Sequence, residues 1–217
     1  MQVTTDASAL NEALSLIPRR RRETPGESLV RLFTKDGKLY VSGSNLETHV
    51  IVETFGQVLE DGDVIAELDS MNAIAATLMG PVELSIDDKL LLRAGRSKIT
   101  LNLIADAHIP ELPVSEDILF RIAAPRLVEA LRRAVSCTTS SESISILDNV
   151  AILIENERIT VVATDRINLA RTMFSAPPDL KAEYVFSRNA ANLACRAFGD
   201  LTEKKIEARC HPHLSFS

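Results

Sequence analysis

Four segments of the chain place apolar residues three and four positions apart, the spacing of an amphipathic helix. This pattern predicts helices over residues 6–17, 70–79, 125–135 and 188–198. Asp69 and Gly80 are the expected caps of the second helix, and Ser187 and Gly199 are those of the fourth. The expected buried face of the fourth helix consists of Ala190, Leu193, Ala194 and Ala197.

Short apolar stretches separated by polar turns predict β-strands between these helices. The predicted strands cover residues 29–33, 39–42, 49–54, 82–86, 90–93, 98–103, 150–154, 158–163 and 169–173. Asp36-Gly37, between the first two strands, is a strong hairpin signal because both residues tolerate the left-handed backbone of a tight turn.

The pattern repeats along the chain with an offset of about 120 residues. Ser44 follows the first predicted hairpin, and Thr164 follows the matching hairpin 120 residues later. The same offset of 120 residues relates Val30 to Val150. We therefore expect an α+β protein built from strand–helix–three-strand units, two per domain, with helices on one face of antiparallel sheets. The domains are expected at 1–116 and 117–217, separated at the proline-rich residues 110–113.

The second copy of the repeat is shorter than the first. Residues 214–216 match residues 90–92, and nothing after them matches residues 96–103. Two interpretations stay open. The chain is a fragment, or the second domain lacks its last strand.

Composition indicates a cytoplasmic globular protein. The chain has 217 residues, of which 46% are hydrophobic and 25% charged. Its three cysteines are too few for a disulfide framework, and we find no signal peptide and no run that would span a membrane.

The charge balance excludes a protein that coats nucleic acid by bulk charge. Lysine and arginine number 24 against 30 acidic residues, which gives a net charge of -6. Tryptophan is absent and aromatic residues make up 4%, which argues against stacking platforms for single strands. Any contact with DNA must therefore come from basic residues gathered on one surface.

No constellation of residues favours catalysis or a cofactor. The chain lacks a phosphate loop of the Gly-Lys-Ser/Thr type and a dinucleotide fingerprint. Residues 210–213 (CHPH) are the most metal-like cluster, but they have no second pair of ligands, so we expect no metal. Asp165 is expected to stabilise a turn rather than to transfer a proton.

Four motifs carry a resemblance to a known family. They are residues 94–101 (AGRSKITL), 109–113 (IPELP), 146–150 (ILDNV) and 161–165 (VVATD). In this order and spacing they resemble the amino-terminal two thirds of the bacterial β sliding clamps, the processivity subunits of DNA polymerase III. No single motif is specific, but together they extend over nearly the whole chain.

The resemblance implies a DNA-clamp fold and a non-enzymatic role. It implies a ring of six similar domains that encircles double-stranded DNA and tethers the polymerase catalytic subunit, with a clamp loader as a further partner and no membrane. In the family, two protomers of three domains close the ring, so a homodimer is expected of the full-length protein. A complete two-domain chain would need three copies, as in eukaryotic and archaeal clamps.

The resemblance also implies two kinds of binding residue. The helices line the hole of the ring, so the arginines on them and in the loop after the first helix are expected to face phosphates: Arg19, Arg20, Arg21, Arg22, Arg126, Arg132, Arg133, Arg188 and Arg196. The first two helices carry no basic residue, although the inner wall of a ring around DNA is expected to be basic. A solvated loop is the alternative for residues 19–22.

Partner peptides are expected at Leu147, Thr164, Arg166, Asn168 and Leu169. The family usually has glycine-histidine-arginine where this chain has Arg166-Ile167-Asn168, so the shape of the groove or its partner preference is expected to differ. Leu147 and Leu169 also have a simpler interpretation as core residues. A clamp-like module that binds peptides without encircling DNA is the second functional hypothesis, and an α+β enzyme is the third.

Overall fold

The chain folds as two compact units, Met1–Leu112 and Pro113–Ser217. The structure is a computed structural model that describes residues 1–19, 28–105, 107–109, 118–139, 145–199, 201, 205–211 and 213–216. The domain boundary predicted between residues 116 and 117 stays a prediction, because residues 110–117 lie outside the described residues.

The first unit contains two antiparallel sheets and two helices. Its elements are β1 (Gln2–Asp6), α1 (Ala7–Ser15), β2 (Leu29–Lys35), β3 (Lys38–Ser44), β4 (His49–Thr54), β5 (Gln57–Glu60), β6 (Asp63–Glu67), α2 (Leu68–Ala75), β7 (Pro81–Ile86), β8 (Lys89–Ala94) and β9 (Ser97–Asn102). The strand orders are β5-β1-β7-β8-β9 and β4-β3-β2-β6. The helices pack against each other, α1 also against β1 and β4, and α2 against β2, β6 and β9.

The second unit repeats this plan. Its elements are β10 (Ile118–Ala123), α3 (Ala124–Ser136), a 3₁₀ helix (Ser145–Asp148), β11 (Asn149–Glu155), β12 (Arg158–Thr164), β13 (Leu169–Ser175), β14 (Ala182–Ser187), α4 (Arg188–Phe198), β15 (Lys205–His211) and β16 (His213–Phe216). The strand orders are β10-β15-β16 and β13-β12-β11-β14. Helix α3 packs against α4 and β10 to β13, and α4 packs against β11 and β14.

The predicted repeat is present in the structure. Strands β2 and β11 begin 120 residues apart, and the same offset relates β3 to β12 and β4 to β13. The hairpin turns also match, because Asp36 and Gly37 have φ angles of 51° and 73°, and Asn156 and Glu157 have φ angles of 50° and 58°. These are the left-handed values that a two-residue hairpin requires. The predicted α+β class with strand–helix–three-strand units is confirmed.

Each unit has its own apolar core, supplied by the inward positions of alternating strands and by one stripe of each helix. Leu131 and Ile152 of the second unit are fully buried, as are Leu10 and Leu32 of the first. Because these stripes turn toward the sheets, the opposite face of each helix is left to the solvent.

Two details of the predicted helices are wrong. Helix α2 begins at Leu68 with Glu67 at the N-cap position and ends at Ala75, so Asp69 lies in its first turn and Gly80 lies beyond its end. Leu68 is fully buried, so the helix begins two residues before the predicted start.

In α4 the buried residues are Ala191, Leu193 and Cys195, whereas Ala190, Ala194 and Ala197 are only partly buried. The helix is rotated from the predicted setting because its many alanines give little periodic signal. The expected cap is present, since the Ser187 hydroxyl oxygen accepts from the Ala190 N–H at 3.3 Å.

Candidate nucleic-acid and peptide-binding surfaces

The solvent-facing sides of α3 and α4 carry the arginines that the sequence singles out. Arg126, Arg132 and Arg133 of α3 are exposed, as is Arg196 of α4, while Arg188 at the start of α4 is half-buried. The two helices are in contact, so these side chains belong to one surface, which we call the arginine face. The arginine face lies opposite the apolar stripe of each helix, as the 3.6-residue period requires.

Two members of the arginine face are occupied by other groups. The Arg126 guanidinium carbon lies 5.2 Å from the centroid of the Phe174 ring, a cation–π contact with β13. Arg133 forms an ion pair with Glu129 one turn earlier on α3. These contacts hold both guanidinium groups close to the protein surface.

The remaining members, Arg132, Arg188 and Arg196, form no ion pair with any residue that the structure describes. Arg132 lies close to the end of α4, because a methyl group added at Gly199 would lie 3.4 Å from its Nη2. Burial raises the pKa of the Cys195 thiol, and the nearby Arg132 charge acts in the opposite direction. Three positive charges are thus available on one surface of an acidic protein.

Helices α1 and α2 carry no basic residue, and their exposed charges are Glu12 and Asp69. Arg19, which follows α1, places its Nε 3.5 Å from an Asp69 carboxylate oxygen. Arg20, Arg21 and Arg22 lie outside the described residues. The first unit therefore has no counterpart of the arginine face on its helices.

The residues after β12 form a hydrogen-bonded turn. The Thr164 hydroxyl donates to the Asn168 carbonyl at 2.7 Å and accepts from the Arg166 N–H at 3.1 Å. Asp165 Oδ1 accepts from the N–H groups of Ile167 and Asn168 at 2.9 and 2.6 Å, and Oδ2 accepts from Asn168 Nδ2 at 3.0 Å. The bonds from Asn168, and then that from Ile167, hold the pKa of the Asp165 carboxyl below its usual value. Asp165 stabilises this turn, as predicted.

The predicted peptide-binding residues lie at one end of a sheet. Thr164 pairs with Leu169, and β11 begins at Asn149 on the same end, because Ala151 pairs with Val162. Leu147 lies in the 3₁₀ helix immediately before β11, so it lies next to this end of the sheet. Leu169 is 66% exposed, so the alternative interpretation of this residue as core is wrong. Leu147 is half-buried.

Further exposed side chains join this end of the sheet and were not predicted. Ile146 is 74% exposed and Ile167 is 91% exposed. Arg171 and Met173 share a strand face with Leu169, because alternate residues of a strand point the same way. The sequence signal for Arg171 and Met173 is the alternation along β13, in which the inward positions are the less exposed ones.

The first unit contains the same turn. The Ser44 hydroxyl oxygen accepts from the Leu46 N–H at 3.1 Å, and Asn45 Oδ1 accepts from the N–H groups of Glu47 and Thr48 at 3.1 and 2.7 Å. Leu46 has φ 76°, and Arg166, at the same place in the second turn, has φ 79°. The two turns share a hydrogen-bond pattern and differ in the side chains that they expose.

Other features of the described residues do not define a reaction centre. A cleft of about 400 Å³ in the first unit is lined by apolar side chains together with Arg31, Asp63 and His108. Arg31 and Asp63 are joined by two hydrogen bonds of 2.8 and 2.6 Å. The described residues include no cluster of three His, Cys, Asp or Glu side chains that would hold a metal ion. No helix in the described part of the chain has the length and apolar character needed to cross a membrane.

Antiparallel sheets with a pair of helices per unit, in a repeated strand–helix–three-strand order, define the DNA-clamp fold. The crystal structure of the DNA polymerase III β subunit from Thermotoga maritima matches 100% of this chain and 61% of its own length, with a TM-score of 0.84 and 19% identity. The sliding clamp of Caulobacter crescentus matches 100% of this chain and 62% of its own, with a TM-score of 0.84 and 23% identity.

Sequence comparison leads to the same family. The β sliding clamp of Caulobacter vibrioides (strain NA1000 / CB15N) is 27% identical over 194 residues, which cover 82% of this chain and 51% of that protein. The β sliding clamp of Streptomyces coelicolor is 23% identical over 184 residues, covering 82% and 49%. No protein-family model matches the chain. The chain is a homologue of the bacterial β sliding clamps, which confirms the resemblance, and it spans about half the length of these curated relatives.

Proposed function

We propose that the chain acts as a non-catalytic sliding clamp, which encircles double-stranded DNA in the cytoplasm and tethers the catalytic subunit of a replicative DNA polymerase. The names of its homologues support this role. The observation that carries it is the arginine face, a gathering of five arginines on two adjacent helices of a chain whose net charge is -6.

DNA contact is assigned to the arginine face and to the loop after α1. Arg132, Arg188 and Arg196 are free to approach phosphates, whereas Arg126 and Arg133 would first give up Phe174 and Glu129. Arg19 would likewise leave Asp69, and Arg20, Arg21 and Arg22 follow it in the sequence. A few phosphate contacts suit a protein that must move along DNA, because strong neutralisation of phosphates would hold it in place.

Partner peptides, from the polymerase catalytic subunit and from a clamp loader, are assigned to Leu147, Thr164, Arg166, Asn168 and Leu169. The exposed Leu169 and the half-buried Leu147 offer apolar contact at one end of the sheet. Thr164 and Asn168 hold the turn that presents them. In this proposal the peptides bind at the end of the sheet and DNA contacts the arginine face.

The chain would close around DNA with other copies of itself. Each unit supplies one pair of helices, and a ring of six such units is the arrangement implied by the family. We propose a homodimer for the full-length protein. Its molar mass in solution, measured by light scattering, distinguishes a dimer from a trimer of two-unit chains.

Retention on circular DNA tests the proposed function directly. The full-length product should stay bound to nicked circular DNA at high salt and should leave it when a restriction enzyme linearises the circle. This behaviour follows because topology, and not charge, would hold the ring. A matched sample that is never linearised serves as the control. Equal loss from circular and linear DNA would contradict encirclement.

The lack of basic residues on the helices of the first unit favours a second candidate, a clamp-like module that binds peptides without encircling DNA. Neither α1 nor α2 carries a basic residue. Such a module would bind partner peptides but would not be retained on nicked circles in the assay above. The same experiment, combined with peptide binding, therefore separates the two candidates.

A further inference from the structure

The two central strands of the sheet β13-β12-β11-β14 are apolar on both of their faces. Residues 150–154 of β11 (VAILI) are all apolar, and so are four of the five residues 159–163 of β12 (ITVVA). An antiparallel strand with one face in water usually alternates apolar and polar residues, whereas a nearly continuous apolar run is typical of a strand covered on both faces. Helices α3 and α4 cover one face of this sheet. The composition of the central strands therefore indicates a cover for the other face.

The pairing register shows which side chains share the face that points away from the helices. Two adjacent rows cross it in the strand order β13, β12, β11 and β14, and they consist of Arg171, Val162, Ala151 and Val185, then Met173, Thr160, Leu153 and Glu183. We call these eight residues the outer face. Met173 and Val185 are 48% and 57% exposed, so apolar area on the outer face is open to solvent.

The charges of the outer face stand at its two opposite edges. Arg171 lies on the edge strand β13 and Glu183 on the edge strand β14, and both side chains are exposed. Three strand spacings separate the two edges, a distance of about 14 Å, so these side chains do not meet within one sheet. Neither of them forms an ion pair with any residue that the structure describes. The outer face thus has an apolar centre between one free positive and one free negative charge.

The matching sheet face of the first unit, 120 residues earlier, is a built-in reference. There Arg31 interrupts the apolar residues of β2, and its guanidinium donates two hydrogen bonds to the carboxylate of Asp63 on the neighbouring strand. The Phe33 and Tyr40 rings stack with their centroids 5.2 Å apart. The charged and aromatic groups of that face are therefore paired within the sheet. Only the second unit presents an apolar face with unpaired charges at its edges.

We propose that the outer face binds the outer face of a second copy of this chain. This association is distinct from the closure of a ring and does not depend on the proposed function. Charge complementarity selects a second copy as the occupant, because each copy offers one Arg171 and one Glu183. Two copies related by a two-fold axis would form two identical ion pairs around a shared apolar centre, the arrangement of an isologous interface.

The positions of the charges also select the direction of the two-fold axis. An axis parallel to the strands lays β13 of one copy over β14 of the other, which brings Arg171 of each copy toward Glu183 of the other. An axis across the strands would lay β13 over β13 and bring the two Arg171 side chains together. The first arrangement is the favourable one, and it packs Val162 and Leu153 of both copies in the centre.

Sedimentation velocity over a series of concentrations measures self-association of the chain. Arg171→Glu should weaken it by about 4- to 25-fold, because each of two symmetric, exposed ion pairs contributes about two- to fivefold. The matched control is Ile51→Glu, since Ile51 occupies the same place in the first unit and is 51% exposed. This control should leave the association constant unchanged. High salt should weaken the association of the parent, because the ion pairs lie at the rim.

Mixing two variants tests the ion pair itself. Glu183→Arg should weaken self-association as Arg171→Glu does, because each homodimer then brings like charges together. In an equal mixture of the two variants every contact again joins opposite charges, so association should recover to the level of the parent. Energy transfer between a donor dye on one variant and an acceptor dye on the other measures this mixed species.

Val162→Glu tests the apolar centre. It places a charge in the middle of the outer face and should abolish association, because a charge buried between two sheets without a partner is costly. Val162 points away from the helices, so the core of the second unit is left intact. Circular dichroism of the dilute protein confirms that this variant and both charge variants are folded.

Each outcome decides the proposal separately from ring formation. A parent chain that stays monomeric throughout the concentration series overturns it. Association that persists unchanged in Arg171→Glu and Val162→Glu also overturns it and leaves the proposed ring untouched, because other surfaces would then join the copies. A loss in Ile51→Glu as large as that in Arg171→Glu would show a general effect of charge and would overturn it too. Recovery in the mixture alone supports the paired charges, whatever the result on nicked circular DNA.

Discussion

Replacing Arg132 and Arg196 by glutamine is the most direct test of the arginine face. Both side chains are exposed, and neither forms an ion pair among the described residues. Together with Arg188 they supply three charges that can neutralise phosphates without first breaking another contact. Glutamine keeps a similar length and removes the charge, so the variant changes the electrostatics of the surface and leaves the buried stripe of each helix intact.

The size of the effect follows from counterion release. Each phosphate contact contributes about −0.9 to the slope of log K against log salt concentration, so three contacts give about −2.7 and the single contact left in the double variant gives about −0.9. Between about 50 and 200 mM salt, the parent should lose about 40-fold in affinity for duplex DNA and the variant only about three- to fourfold.

Fluorescence anisotropy with a short labelled duplex, repeated over a series of salt concentrations, measures both slopes. The matched control is the double substitution Arg93→Gln with Arg158→Gln, which removes two exposed arginines that lie outside the arginine face. Its slope should equal that of the parent. The reasoning is refuted if the Arg132/Arg196 variant keeps the parental slope, or if the control lowers the slope as much.

Three further predictions concern stability. Leu131→Ala, in the core of the second unit, should lower the free energy of unfolding by about 2–5 kcal/mol. Val185→Ala, at a 57% exposed position, should change the free energy of unfolding little. Urea denaturation compares the two variants, and equal losses would contradict the burial argument. Ser187→Ala removes the cap of α4 and should lower the free energy of unfolding by about 1 kcal/mol in urea denaturation, and no loss would contradict the capping role. Hydrogen bonds from the Ser8 hydroxyl and N–H hold the pKa of Asp6 below its ordinary value. This carboxylate therefore stabilises the fold at pH values above its ordinary pKa, and the contribution disappears as the pH falls through the lower pKa of the folded state. Thermal unfolding of Asp6→Asn should therefore vary less with acid than that of the parent, and parallel curves would contradict this.

The elements predicted best from the sequence are those with two independent local signals. The β2–β3 hairpin combines alternating apolar residues with Asp36-Gly37, and both signals refer to the same few residues. Strand β5 (Gln57–Glu60) was missed because Val58 is its only half-buried residue, so it shows no alternation. Its pairing with β1 is set by a partner more than 50 residues away.

In the candidate sites too, features with a local sequence signal could be predicted and contacts between distant residues could not. The positions of Arg132 and Arg196 on helix faces follow from the 3.6-residue period, so the sequence predicts them. That Arg126 lies over Phe174 depends on the packing of α3 against β13, which no local pattern contains. The similarity of the two turns at Ser44 and Thr164 could be predicted only in part. The sequence shows the offset of 120 residues between them, but not the hydrogen bond that each hydroxyl oxygen accepts from the N–H two residues later.

The offset of the repeat also shows what the first unit lacks. Ala76, which is exposed and follows the last residue of α2, lies 120 residues before Arg196, and Asn72 lies 120 residues before Asn192. Helices α2 and α4 begin 120 residues apart, and only α4 carries arginine. If the arginine face contacts phosphates, then moving one arginine to the matching place should add one contact.

Ala76→Arg should accordingly raise affinity for duplex DNA at low salt and steepen the salt slope by about 0.9. The position also suits a cation, because the carbonyl groups at the end of a helix attract positive charge. Ala73→Arg is the matched control, since Asp69 lies four residues earlier on the same exposed face and would offset the new charge. Equal slopes for the two variants and the parent would mean that the first helix pair does not approach DNA. A steeper slope for Ala76→Arg alone would mean that it does, and that the absence of basic residues on α1 and α2 limits how firmly this chain holds the duplex.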